Sequence, residues 1–122
     1  MKTKNLLLIS FLALTASSVV AQFKQVIIPY YDQATELYGY KDSALNMAAI
    51  PAKYQYADRH YEGLARIQQN DKWGFIAFSG KEIVPAIYDD ALNFKDSVAA
   101  VKQNDKWGYI DKTGKVIIPF QY

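Results

Sequence analysis

Gln69-Asn70-Asp71-Lys72-Trp73-Gly74 recurs letter for letter as Gln103-Asn104-Asp105-Lys106-Trp107-Gly108, an offset of 34 residues counted from Trp73 to Trp107. At the same spacing Ile76 meets Ile110, Gly80 meets Gly114, Lys81 meets Lys115, Ile83 meets Ile117, Pro85 meets Pro119 and Tyr88 meets Tyr122. Going backwards, Ile50-Pro51-Ala52-Lys53-Tyr54 falls on Val84-Pro85-Ala86-Ile87-Tyr88, and Ala57 falls on Ala91. Self-similarity at one fixed period marks a chain of repeated supersecondary units, each needing a neighbour to bury its apolar face.

The pattern inside one unit reads as strands. Ala65 and Ile67 alternate with Arg66 and Gln68, the period of two that sets an apolar pair on one face. Asn70-Asp71 then supplies residues that tolerate a tight turn, and Trp73 to Ala77 returns as the second strand of a hairpin. A further turn falls at Ser79-Gly80-Lys81 and again at Thr113-Gly114-Lys115, where glycine supplies the positive φ of a bulged three-residue loop. The next strand is Glu82 to Val84, or Val116 to Ile118, with Pro85 or Pro119 limiting how far its ladder continues. An irregular connection through Tyr88-Asp89-Asp90-Ala91 leads to the following unit. In the Trp-Gly pair, Gly74 or Gly108 leaves room for a large ring or a neighbouring backbone. Trp73 and Trp107 are then core rings with much of the indole buried, so that Trp107→Ala costs about 3 to 5 kcal/mol; a glycan-stacking tryptophan is the lesser reading.

Upstream the repeat wears thin. Val26-Ile27-Ile28-Pro29-Tyr30 imitates Val116-Ile117-Ile118-Pro119-Phe120, yet Pro29 and Pro51 stand only 22 residues apart. Two alignments compete there: Lys41-Asp42-Ser43-Ala44 with Lys95-Asp96-Ser97-Val98, or Tyr38-Gly39-Tyr40 with Trp73-Gly74-Phe75. Residues 22–49 are therefore an atypical partial repeat or cap, and residues 50–122 the regular units. Asp42 to Ala49 is the one stretch of the mature chain where helix is conceded.

Residues 1–21 have the form of a secretory signal. Lys2 and Lys4 are its positive end, Leu6 to Leu14 its apolar run, and Val19-Val20-Ala21 its small residues before Gln22. The apolar run is shorter than the about 20 residues of an ordinary transmembrane helix, so cleavage after Ala21 leaves a periplasmic or secreted chain with no membrane span. Loss of Lys2 and Lys4 takes the basic count from 14 to 12, equal to the 12 acidic residues. The mature chain is near neutral and has no basic footprint for nucleic acid. With no cysteine in the chain, disulfides, thiolate metal sites and cysteine nucleophiles are excluded.

Candidate chemistry is sparse. His60, flanked by Asp58 and Glu62, is the only histidine, and its repeat counterpart is Phe94, so the imidazole replaces a packing aromatic. One histidine with scattered carboxylates falls short of the three or four convergent ligands of a zinc site. Asp89-Asp90 is the one adjacent acid pair; in an extended segment the two point to opposite faces, which suits a solvated turn better than a general acid and base. No phosphate-cradling glycine loop, nucleophile elbow or Ser/His/Asp arrangement is present. The reading is therefore no enzyme, no cofactor and no metal. Tyr54, Tyr56 and Tyr61, with Tyr30, Tyr31, Tyr38 and Tyr40, are the part of the chain least constrained by the repeat. Tyr54 and Tyr56 alternate onto one strand face, where tyrosine offers contact area with a hydrogen-bonding tip, or else covers an open end of the array.

With Asp-Lys-Trp-Gly-Tyr-Ile-Asp-Lys-Thr-Gly-Lys-Val-Ile-Ile-Pro at 105–119 laid out, the chain resembles the WG-repeat family of bacterial proteins, and Asp71 to Pro85 is a looser second copy. It departs from the family pattern in having Asp71 and Asp105 where such repeats often have glycine, and in having few copies. The resemblance implies a β-strand-rich repeat array, often exported, with interaction roles and no catalytic residues to carry over. The expectation is thus an all-β array of antiparallel hairpins, curved by strand twist, serving as a protein-interaction or envelope-scaffold module. Tyr54, Tyr56, Tyr61 and Phe120 are its contact residues, and the apolar C-terminal edge is a place for self-association. The alternatives are a carbohydrate-binding module and a truncated family member without activity.

Overall fold

The computed structural model describes residues 26–122, so the leader expected over residues 1–21 lies outside the described residues. These hold eleven strands and no helix: β1 (Ile27–Asp32), β2 (Leu37–Asp42), β3 (Ala48–Tyr54), β4 (Tyr56–Ala57), β5 (Ala65–Gln69), β6 (Lys72–Ile76), β7 (Glu82–Tyr88), β8 (Asp90–Ala91), β9 (Val98–Gln103), β10 (Lys106–Asp111) and β11 (Val116–Ile118). The helix conceded at Asp42 to Ala49 is instead a turn between β2 and β3, closed by Asp42 N–H donating to the Met47 carbonyl at 2.9 Å.

The strands make three antiparallel sheets, β1-β2-β3, β4-β5-β6-β7 and β8-β9-β10-β11. Each unit is a hairpin plus a third strand, and the chain running off that strand becomes the edge strand of the next sheet. Gln55 N–H donates to the Gln68 carbonyl at 2.8 Å and Asp89 N–H to the Lys102 carbonyl at 2.9 Å, so the crossing residue is already hydrogen-bonded to the following unit. The Tyr88–Ala91 connection, expected to be irregular, is in this way part of the ladder.

Local chemistry accounts for both turns. Asn70 and Asp71 have φ of 51° and 63°, and Asn104 and Asp105 of 52° and 64°. Positive φ at both central residues is the type I′ turn, whose twist matches the flanking strands. The second turn places Gly80 at φ 88° and Gly114 at 90°, with Gly80 N–H donating to the Ala77 carbonyl at 2.9 Å and Ala77 N–H to the Lys81 carbonyl at 2.9 Å. The first unit has a longer hairpin loop, in which the Asp32 carboxylate accepts from the Thr35 hydroxyl at 2.7 Å and from Ala34 N–H at 3.3 Å.

Cross-strand pairing settles the two alignments of the first unit. Gly39 lies opposite Tyr30, Gly74 opposite Ile67 and Gly108 opposite Val101, so Tyr38-Gly39-Tyr40 is the copy of Trp73-Gly74-Phe75. The Lys41–Ala44 match to Lys95–Val98 does not hold, and Pro29 lies in a first hairpin strand rather than at the position of Pro119. β3 and β7 run on past Pro51 and Pro85, whereas β11 stops at Ile118 before Pro119, as expected. Between Trp73↔Tyr88 and Phe75↔Val84 one residue of β6 faces three of β7, a bulge with Pro85 inside it, and β2 and β3 repeat this around Pro51. A Cβ on Gly74 would lie 2.5 Å from the Val84 carbonyl oxygen, 2.7 Å from Ala86 N and 2.8 Å from Pro85 C. At Gly39 the corresponding distances are 2.5, 2.7 and 2.9 Å, to Ile50, Ala52 and Pro51. Glycine is thus required because the proline bulge of the adjacent strand arches over it.

The core lies between units. Tyr40, Ile50, Tyr54, Ala57, Ala65, Ile67 and Ile76 close the first joint; Phe75, Val84, Tyr88, Phe94, Ala99, Val101 and Ile110 close the second. Fully enclosing one such large side chain contributes roughly 1.5 to 3 kcal/mol. The turn of each unit seats on the one before: a Cβ at Gly80 would be 3.1 Å from Ile50 Cδ1, and one at Gly114 would be 3.3 Å from Val84 Cγ2. In the third unit Ile118 is 37% exposed and Tyr122 68%, where Val84 and Tyr88 are 1% and 5% exposed.

Candidate functional site

Four rings from the first two units meet on the surface. Tyr31 on β1 touches Tyr38 on β2 with centroids 5.1 Å apart, Tyr38 touches Tyr56 on β4 at 5.7 Å, and Tyr56 touches Trp73 on β6 at 5.5 Å. Successive rings are tilted by 58°, 56° and 62°. Cross-strand register makes the row: Tyr31 pairs with Tyr38, and Tyr56 and Trp73 both pair with Gln68. Tyr31 and Tyr56 are exposed and Tyr38 and Trp73 half-buried.

Arg66 stiffens one end of the row. Its guanidinium carbon lies 5.0 Å from the Trp73 ring centre and 5.8 Å from that of Tyr56, within cation–π range. Nε donates to Asp58 Oδ2 at 3.0 Å and an η nitrogen donates to the Ala91 carbonyl at 2.6 Å, tying the second unit to the third. Burial alone would raise the Asp58 pKa; hydrogen bonds from the Asn93 amide, the Arg59 N–H and Arg66 outweigh it and hold the carboxyl below its ordinary value.

The groups around His60 diverge. His60 stacks on Phe78 at 4.3 Å and meets Tyr40 edge-on at 5.2 Å, much as Phe94 meets Phe75 at 4.8 Å in the next unit. Both of its ring nitrogens are enclosed without a hydrogen bond, and burial lowers its pKa while the Ala77 backbone pulls weakly the other way. Glu62 accepts from Ser97 N–H at 2.9 Å and pairs with Lys112 at 3.6 Å. Asp89 pairs with Lys72 and accepts from Asn104 N–H at 3.1 Å, whereas Asp90 accepts from its neighbour Ala91 N–H at 2.8 Å. Among the described residues no three His, Cys, Asp or Glu side chains are grouped to hold a metal ion, and no helix is long and apolar enough to cross a membrane.

Of the tyrosines expected to make contacts, the structure brings only Tyr56 into the row. Tyr54 is 2% exposed, a core ring that no partner reaches. The chain passes from one sheet to the next at Gln55, so Tyr54 and Tyr56 do not share a face. Tyr61 is exposed but sits in the connection to β5, outside the row. Phe120 is half-buried against the second core, stacked on Tyr88 at 6.0 Å, with its Cδ1 3.1 Å from where a Gly108 Cβ would lie. It is a packing residue. Trp73 and Trp107 are half-buried, less enclosed than core rings. Arg66 was not among the expected contacts, although a sequence signal exists: Tyr31, Tyr56 and Arg66 occupy positions held one unit further on by Gln68, Asp90 and Ala100.

A family model described as WG containing repeat matches residues 38–73, 73–107 and 107–122. Each matched segment begins on the ring residue before the glycine of a unit, at Tyr38, Trp73 and Trp107. No curated protein and no solved structure matches the chain.

Proposed function

Because this chain belongs to the WG containing repeat family, we propose that it is a non-catalytic interaction module, exported with loss of residues 1–21, that binds a protein or another component of the cell envelope. The observation that carries this reading is the row Tyr31, Tyr38, Tyr56 and Trp73, large rings held in place and partly open to solvent. Aromatic side chains of this kind supply contact area at low entropy cost and are enriched at interfaces. The divergence of His60, Asp58, Glu62 and the Asp89-Asp90 pair supports a role without catalysis. The half-exposed Trp73 ring favours saccharide binding as the second reading. The open Ile118 and Tyr122 surface is where a second copy, or a further repeat unit, would seat.

The test is capture from envelope extract by the mature chain, run beside a polysaccharide panel and light scattering. A protein partner lost on Tyr56→Ala and retained on Tyr61→Ala supports the reading. Saccharide retention lost on Trp73→Ala would replace it, and turnover of a substrate abolished by His60→Ala would overturn it. Intact mass of the protein from its host checks the export step; a cytoplasmic chain beginning at Met1 would refute it.

A further inference from the structure

The row of rings is surplus to what holds the units together. At the joint between the second and third units the positions of Tyr31, Tyr56 and Arg66 are held by Gln68, Asp90 and Ala100, leaving Trp73 and Trp107 as the aromatics. That joint nonetheless closes around its own buried cluster. Tyr31, Tyr56 and Arg66 are therefore not explained by stacking, and Arg66 fixes the row through Asp58, the Ala91 carbonyl and two ring faces. A site fixed before its ligand arrives loses less entropy on binding.

Ring geometry narrows the ligand. Tilts of 56° to 62° between neighbours in contact leave a ridged apolar surface, whereas the flat face of a pyranose wants a ring plane free of an upright neighbour. Pyrrolidine rings, short and rigid, pack on the exposed Tyr31 and Tyr56 rings of such a ridge. An extended polyproline segment also has a fully solvated backbone whose carbonyls need donors, which tyrosine hydroxyls supply. Charge narrows it further. Asp32 follows Tyr31, Glu36 closes the same hairpin loop, and Asp71 is bonded through its carboxylate and its N–H to Gln55, the neighbour of Tyr56. Among the described residues these three acids make no ion pair, while Arg66 and Lys72 are engaged by Asp58 and Asp89.

We propose that the row Tyr31, Tyr38, Tyr56 and Trp73 takes an extended, proline-rich protein segment carrying lysine or arginine beside its prolines. This deepens the protein-binding reading above and rests on it. Prolines pack on the exposed rings, and the cationic residues face the acids at the hairpin ends.

Trp107→Phe in the mature chain leaves Trp73 as the sole tryptophan, so its emission reports the row. The probe is a synthetic peptide of Pro-Pro-Lys repeats, run against the same length with glycine for proline and against cellohexaose and chitohexaose. The expected result is a saturable change in Trp73 emission with the proline peptide alone, weakened about tenfold or more by Tyr31→Ala and by Tyr56→Ala, as loss of an anchoring ring requires. Tyr61→Ala should leave it unchanged, and added salt should weaken it. Circular dichroism confirms that each variant is folded. No saturable response to the proline peptide overturns the proposal while the capture experiment still decides whether a protein is bound at all. Equal response to the glycine peptide, or response to a hexaose alone, also overturns it.

Discussion

Gly74→Ala isolates the contact that defines the repeat. The added Cβ would meet the Val84 carbonyl oxygen at 2.5 Å, Ala86 N at 2.7 Å and Pro85 C at 2.8 Å, against an ordinary lower limit of 3.4 Å. The nearest atom must therefore retreat by about 0.9 Å, and all three belong to backbone. That bulge carries Val84 and Tyr88 into the second core, so moving it disturbs packing on the far side of the sheet. Overpacking costs typically about 1 to 3 kcal/mol; with only backbone available to give, the upper end, about 3 kcal/mol, is expected. For a chain of this size that lowers the thermal midpoint by roughly 12 to 24 °C. Gly63→Ala is the control, since nothing lies within 4 Å of its Cβ and only the strain of φ +85° is added, about 1 to 2 kcal/mol. Urea titration of the mature chain, followed by circular dichroism, reads both. A Gly74→Ala loss below 1 kcal/mol, or one no larger than that of Gly63→Ala, would refute the interlock.

Three other outcomes are expected. Burial depresses the His60 pKa from 6.5, so the unfolded chain binds that proton more readily; the stability it contributes is full above pH 6.5 and falls as the pH drops below it, and His60→Phe, copying Phe94, should flatten this acid-side loss in thermal midpoints taken from pH 8 to 5. Asp105 occupies a left-handed position at φ 64°, so Asp105→Gly should raise stability by about 0.5 kcal/mol, Asn-Gly being the preferred type I′ pair. Asp71→Gly should gain less, because the Asp71 carboxylate accepts from the Gln55 amide at 2.9 Å. Trp107→Ala should cost about 2 kcal/mol rather than the 3 to 5 kcal/mol of an enclosed ring, with Phe75→Ala reaching that higher range in the same chemical denaturation series.

The fixed period places Gly74, Gly108, Gly80, Gly114, Pro85 and Pro119, because each is demanded by a backbone contact or a positive φ that the regular units share. It misplaced the first unit for an equally physical reason. The hairpin loop there is longer, running between the Asp32↔Leu37 pair where Gln69↔Lys72 closes the second unit, so prolines aligned by spacing alone fall on different strands. Pro29 instead sits where Arg66 sits in β5. The Arg66 carbonyl accepts from Asp58 N–H on the β4 side, so the backbone of Pro29 faces the outer edge of its sheet, and among the described residues β1 has no neighbour there. A missing N–H costs the ladder nothing at that position.

Tyr54 and Tyr56 show why a strand period fails at a sheet boundary. Alternation assumes one continuous ladder, whereas Gln55 hands the chain from β3 to β4, leaving Tyr54 in the first core and Tyr56 on the surface. The row of rings was hidden because its members come from four strands, and no single segment contains two neighbours of it. What betrays it is the comparison between units. Where Gln68, Asp90 and Ala100 suffice to build one joint, Tyr31, Tyr56 and Arg66 stand at the other. The two joints act as an internal control: residues common to both are required by stacking, and residues confined to one are free for recognition. By that criterion Tyr56 falls on the proposed binding surface while Phe94, and with it His60, falls with the packing rings.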